Sequence, residues 1–169
     1  MARGLEGSCM ERVNRILKSK KYQEHIDKIK AAEEGRIFCC HNMVHFLDVA
    51  RIASLINAEE QLGIDKELIY ATALLHDIGR HVQYAEGTPH EQAGVQLAPE
   101  ILEETGFEVW EQREILRAVK EHRNAKIAGE RSLAGIIYRA DKASRACFAC
   151  EAEKLCDWKA EKKNLGIKY

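Results

Sequence analysis

Apolar side chains recur three and four positions apart along nearly the whole chain, and that period commits it to α-helices. Ala, Leu, Glu, Lys and Arg, which lose little freedom on entering a helix, fill many of the positions between, and only two prolines interrupt them. No alternating apolar and polar run competes for a strand.

Boundaries follow from capping chemistry. Ser8 and Glu11 fit a capping box that opens a first helix, and a second amphipathic segment, roughly Tyr22 to Glu34, stops at Gly35. Met43 to Ala58 is apolar on most sides, broken mainly by His45, Asp48, Arg51, Ser54 and Asn57, which predicts a core helix. The stretch KELIYATALLHDI from Lys66 is apolar almost throughout; its length and two alanines favour a helix over a buried strand, and Gly79 offers the left-handed turn that ends it. Thr88, Pro89 and Glu91 place a cap, a first-turn proline and a capping-box acid in register, starting a fifth helix with His90 in its first turn and Gly106 at its end. A sixth, Glu108 to His122, should carry Val109, Ile115, Leu116 and Val119 inward. A seventh lies near Ser132 to Phe148 and tolerates Gly135 in its first turns; the tail to Tyr169 reads as helical at first and then frayed. The expectation is an all-α fold in one compact domain over 1–169, of about seven or eight helices, with a central part near 40–145 on which segments 8–34 and 147–169 pack.

Twenty-six basic residues balance 27 acidic ones for a net charge of −1, and the two signs are interspersed, so the basic surface of a nucleic-acid or membrane binder is not expected. The amino-terminal MARGLEGSCMERVNRILKSK has no continuous apolar stretch of the secretory kind, and no run approaches bilayer length, which predicts a cytoplasmic protein. Its six cysteines are then expected as reduced thiols rather than a disulfide framework. Cys147, Cys150 and Cys156 form a C-x2-C-x5-C cluster, and Cys39 and Cys40 precede the first important histidine. This spacing matches no common zinc or iron–sulfur site closely, and the cysteines read as buried free thiols.

The chemistry concentrates in ALLHDIGR, where an apolar helix delivers His76 and Asp77 to its carboxyl end. A buried carboxylate costs several kcal/mol unless compensated, and the negative end of a helix dipole suits a cation. His45 is embedded in an apolar helix, His90 lines up with Ala93, Gly94, Leu97 and Ile101, His122 follows Val119 and Ile115, and Asp141 sits among Ile137, Tyr138 and Ala140. Each histidine alone fits a hydrogen-bonded core position; their joint occurrence is harder to assign to core packing.

The stretches HFLDVARIA at His45, ALLHDIGR at His76 and Asp77, and YRADKASR at Asp141 resemble the HD-domain superfamily, in order and spacing, over roughly residues 40 to 145. HEQAGVQLA at His90 and VKEHR at His122 are similar to the H...HD...H...H...D variant of that superfamily, in which the extra histidines hold a second metal. The resemblance implies an HD-type helical bundle and two divalent ions. Asp77 would bridge them, with His45, His76 and Asp141 completing one site and His90 and His122 the other. Imidazole mixed with carboxylate suits iron, manganese, nickel or zinc better than magnesium. It further implies a phosphohydrolase that attacks phosphorus with a metal-activated hydroxide while basic side chains hold the other phosphates.

On that analogy Asp77 and Arg80 are the catalytic residues. Arg80, Arg145 and Lys142 are candidates to bind substrate phosphate, with Arg123 a further alternative. His41, one turn before His45, is assigned an orienting hydrogen bond or none, Asp48 either orients His45 or pairs with Arg51, and His25 and His81 read as surface residues. The expected substrate is a phosphoester or phosphoanhydride of a nucleotide or related small metabolite. Two other readings stay open at this point: a mixed-valent di-iron oxygenase, because a small branch of HD proteins uses the same six ligands, and a non-catalytic module that binds a metal or senses a ligand. No glycine-rich phosphate loop or strained serine elbow occurs, and HNMVH lacks the glutamate of a zinc protease.

Overall fold

Residues 10–169 are described in a computed structural model, so Ser8 of the expected first cap lies outside the described residues. Among the described residues eight α-helices follow one another: α1 (Glu11–Lys18), α2 (Lys20–Ala32), α3 (Met43–Glu59), α4 (Lys66–Leu75), α5 (Arg80–Glu86), α6 (His90–Glu104), α7 (Val109–Glu121) and α8 (Leu133–Ala143). Among the described residues there is no strand, and no helix is long and apolar enough to cross a membrane.

Helices α3, α4, α7 and α8 form the centre: α3 packs on α4 and α8, and α7 on α4, α6 and α8. The apolar stripe of α3 buries Phe46, Val49, Ala50, Ala53 and Ile56, and α4 buries every residue from Ala71 to Leu75. Each large side chain so withdrawn contributes roughly 1.5–3 kcal/mol. Side-chain caps fix where several helices start: Asn42 accepts from His45 N, Asp65 from Glu67 N and Ser132 from Gly135 N. Glu108 and Glu111 form a capping box on α7. Arg12 ties α1 down, reaching Glu67 on α4 and Glu111 on α7 at 2.6 Å each.

Several boundaries differ from the sequence reading, each for a tertiary reason. The helix through ALLHDI ends at Leu75; His76 to Gly79 form a turn, and α5 starts immediately after. Gly79 has φ −78° rather than a left-handed value. It is glycine because a Cβ there would lie 2.2 Å from the His90 carbonyl oxygen and 2.7 Å from Gly94 N. Pro89, not Thr88, is the residue before α6, and the His90 N–H is taken by Gln83 Oε1 at 3.3 Å. Val109 is 65% exposed and Leu116 only partly buried; Ala118 joins Ile115 and Val119 on the inward face instead. Gly135 is needed rather than tolerated, since a Cβ would sit 2.1 Å from the Glu130 carbonyl oxygen.

Helix α8 stops at Ala143, well short of Phe148, and only short 3-10 turns follow, at Cys147–Ala149, Glu153–Leu155 and Ala160–Lys162. The tail is latched rather than frayed. Buried Asn164 donates from Nδ2 to the carbonyls of Lys142 (2.7 Å) and Arg145 (2.9 Å), and Phe148 N donates to the Asn164 carbonyl at 2.9 Å. Cys39, Cys40, Cys147, Cys150 and Cys156 are free, but only Cys147 is buried.

Candidate metal centre

The helices bring six side chains to one buried point. His45 sits in the first turn of α3 behind its Asn42 cap, and His76 and Asp77 leave the end of α4. His90 is the first residue of α6, His122 follows the last residue of α7, and Asp141 lies in α8. All six are buried, Asp77 to 1% exposure.

Asp77 has one carboxylate oxygen on each side of the centre. Its Oδ2 lies 3.4 Å from His45 Nε2 and 3.1 Å from His76 Nε2, whereas Oδ1 lies 3.1 Å from His90 Nε2 and 3.7 Å from His122 Nε2. Asp141 Oδ1 joins the first side, 3.5 Å from His45 Nε2 and 3.7 Å from His76 Nε2. The result is two overlapping groups, His45–His76–Asp77–Asp141 and Asp77–His90–His122, each with ligand atoms within 4.8 Å of one another.

Hydrogen bonds behind the rings set their tautomers. His76 Nδ1 donates to the Ala73 carbonyl at 2.7 Å. His45 Nδ1 lies 3.2 Å from Ser144 Oγ, which itself donates to the Asp141 carbonyl and so accepts from the ring. Each such bond occupies Nδ1 and turns Nε2 toward the centre, the orientation that metal-bound imidazoles use. His76 Nε2 and Asp77 Oδ2 are buried and, although 3.1 Å apart, lie outside hydrogen-bonding geometry with each other and with every other described group. Unsatisfied buried groups of this kind are rare and costly, and imidazole nitrogens opposite carboxylate oxygens are the donor set that a divalent transition metal takes. The residues present therefore fit a metal centre.

Electrostatics agree. Burial pushes the His45 and His90 imidazoles down to about 4, so both are neutral and able to ligate. Burial also works against a charged His76, but Asp77 and Asp141 beside it outweigh that and hold it up at about 9, so the metal-free centre keeps a proton there that a metal ion would displace. Although burial opposes ionisation of both carboxylates, His76 and Arg80 hold Asp77 well below the usual range, and His76 and Lys142 do the same for Asp141.

Three of the four candidate cations touch the ligands. Arg80 Nε donates to Asp77 Oδ1 at 3.0 Å, Lys142 Nζ lies 2.7 Å from Asp141 Oδ2, and Arg145 Nη2 lies 3.3 Å from His45 Nε2 and 3.8 Å from Asp141 Oδ1. Arg123 is turned away and pairs with Glu91 at 3.4 Å. Asp48 faces Arg51 at 4.0 Å.

The sequence reading gave too little to His41 and nothing to Glu33. His41 is buried, with Nε2 3.8 Å from Asp77 Oδ2 and Nδ1 hydrogen-bonded to Glu33 Oε1. Glu33 also accepts from His41 N and from the Tyr84 hydroxyl, each at 2.7 Å. Burial works against the Glu33 carboxylate, yet the His41 hydrogen bonds bring it down to about 2. The H-x3-H spacing of HNMVH was the available signal for His41. His25 and His81 are half-buried rather than on the surface, stacked with ring centroids 5.0 Å apart.

Comparison with known proteins points the same way. Residues 43–146 match the HD domain family. An uncharacterized protein of Clostridium beijerinckii is 46% identical over 160 residues, 95% of this chain and 100% of that one. Ribonuclease Y of Acetivibrio thermocellus is 30% identical over 111 residues, 66% of this chain but 19% of that protein. Among solved structures, a predicted HD superfamily hydrolase from an uncultured Thermotogales bacterium superimposes with a TM-score of 0.59 at 25% identity, covering 83% of this chain and 79% of that one.

Proposed function

Because this chain belongs to the HD domain family, we propose that it is a metal-dependent phosphohydrolase that cleaves a phosphoester or phosphoanhydride of a nucleotide or related small metabolite. The observation that carries this reading is the split of Asp77, whose two oxygens face two different pairs of histidine Nε2 atoms. That arrangement suits a pair of divalent transition-metal ions, His45, His76, Asp77 and Asp141 holding one and Asp77, His90 and His122 the other. Bound there, the ions would lower the pKa of water and neutralise phosphoryl oxygens as charge develops.

The chain's own groups do the rest. Arg145 presents a planar, mostly buried guanidinium beside His45, suited to gripping a phosphate with two hydrogen bonds. Arg80 has its Nε committed to Asp77, so its first duty is to hold that carboxylate in its bridging pose. His41, neutral through burial and donating from Nδ1 to Glu33, turns an accepting Nε2 toward the centre, where it can orient a water or take its proton. A net charge of −1 supports a small phosphorylated substrate over a nucleic acid or a membrane.

Metal analysis of the purified protein followed by a nucleotide panel tests the proposal, with Asp77→Ala as the control. Phosphate release that needs metal and vanishes in the variant is expected. Equal release by Asp77→Ala would expose a contaminant. Oxygen uptake by iron-loaded protein with no phosphate release would make it an oxygenase, and full metal with no turnover a binding module.

A further inference from the structure

Beside His45 the surface sinks into a cavity of about 340 Å³, at the small end of the roughly 300–1,000 Å³ range of ligand sites. Its lining combines two chemistries. His45 and Arg145 bring it to the edge of the metal centre. Ile37, Phe38 and Val44 add an apolar surface, and they are 62%, 37% and 68% exposed. Large apolar side chains gathered in the open around a concavity mark a place where something apolar docks. Val44 immediately precedes His45 at the start of α3, and Ile37 and Phe38 belong to the connection leading into that helix, so the apolar wall adjoins the ligands along the chain as well as in space.

Charge limits how much phosphate the cavity can take. Among the described residues Arg145 is the one Lys or Arg in the lining, and the Asp48 carboxylate is there as well. One phosphate beside Arg145 is balanced. A polyanionic strand leaving the cavity would meet Asp48 and a chain of net charge −1, not the row of cations that phosphate backbones select. Asp48 is instead suited to accept hydrogen bonds from hydroxyl or amino groups, its partner Arg51 standing 4.0 Å away with both side chains exposed.

We propose that this cavity receives the organic half of the substrate, one nucleoside-sized group whose flat base lies against Phe38 and whose single phosphate sits at Arg145. The substrate class is then the mononucleotide rather than the RNA chain. The assignment rests on the phosphohydrolase reading only for the identity of the reacting phosphate; the pocket itself is argued from its lining.

Isothermal titration of the full chain with adenosine monophosphate, inorganic phosphate and a long oligoadenylate tests it. The mononucleotide should bind about tenfold or more tighter than inorganic phosphate. Phe38→Ala should remove most of that advantage while leaving phosphate affinity and metal content as they were. Val44→Trp, which fills the cavity from an exposed position and spares the fold, should do the same. Equal binding of mononucleotide and phosphate, variants that bind the mononucleotide like the parent, or an oligoadenylate that outcompetes it would each overturn the assignment. Nucleotide binding lost in Phe38→Ala, with no compound hydrolysed by the parent, would support the pocket and sink the phosphohydrolase. Hydrolysis of nucleotides untouched by either variant would do the reverse.

Discussion

The Nε2 atoms of His90 and His122 face each other at 3.0 Å, and neither ring is free to turn away. His90 gives its Nδ1 proton to Gln83 Oε1 and His122 gives its own to the Val119 carbonyl, each across 2.6 Å. With both Nδ1 protons given away the rings meet through Nε2 alone, a contact that needs a cation or a proton between them. The pair is thus poised for a positive charge that it must share with Asp77 Oδ1.

Gln83 is the outer support of that half of the centre, because its Oε1 accepts from both the backbone and the ring of His90. Gln83→Ala should weaken metal binding there by about 10–100-fold while the His45 side keeps its ion. Chelator competition with metal counting reads this as one ion lost early and one late. Simultaneous loss of both would mean the two halves are not separable.

The orphaned His76 Nε2 and Asp77 Oδ2 predict that metal stabilises the fold strongly. At free metal a hundredfold above its dissociation constant the gain is about 2.7 kcal/mol per site. Thermal melts across a manganese or zinc titration should rise in the parent and stay flat in Asp77→Ala.

Arg145 and Arg80 should separate kinetically. Arg145→Ala is expected to raise KM about tenfold with metal content intact, since its guanidinium borders the cavity. Arg80→Ala should lower kcat and loosen metal together, because it releases Asp77 Oδ1. Identical kinetic signatures would refute the division.

Glu33 should carry a separable part of the acid sensitivity, beside the buried Asp77 and Asp141. Its folded pKa of about 2 lies below the ordinary 4.5, so the folded state binds fewer protons in between. Its contribution, on the order of 2 kcal/mol, is present above the ordinary value and is lost as pH falls toward the folded one. Metal-free melts of the parent and Glu33→Gln should therefore converge on acidification, and parallel curves would contradict this.

Gly79→Ala should be among the most damaging single-methyl changes, since the added carbon would lie 2.2 Å from the His90 carbonyl oxygen. A loss of roughly 1–3 kcal/mol in denaturant unfolding is expected, with metal affinity falling as α6 is pushed outward.

Helix periodicity is a local property, which is why the course of α3 and the odd polar residues on apolar faces, His45 and Asp141 above all, were legible before any coordinates. What escaped depends on contacts between distant residues. The break after Leu75 exists because Gly79 lies against His90 and Gly94 of another helix, and no propensity within KELIYATALLHDI encodes that. Glu33 looks like a solvated acid at the end of an amphipathic helix; it is buried only because the following connection folds back and lays His41 over it. Val109 follows the apolar period but, as the first residue of α7, faces water.

The family match stops at residue 146, one position before Cys147, where the latched tail begins. Cys147 and Cys150 of that tail nevertheless line the cavity beside His45. The tail thus closes one edge of a cavity whose other walls come from residues 37–48 and 144–146, and the amide of Asn164 holds the two parts together. A relative that exchanged everything after residue 146 would rebuild the Cys147 and Cys150 edge of the cavity and would also have to replace the clasp on the carbonyl of Arg145.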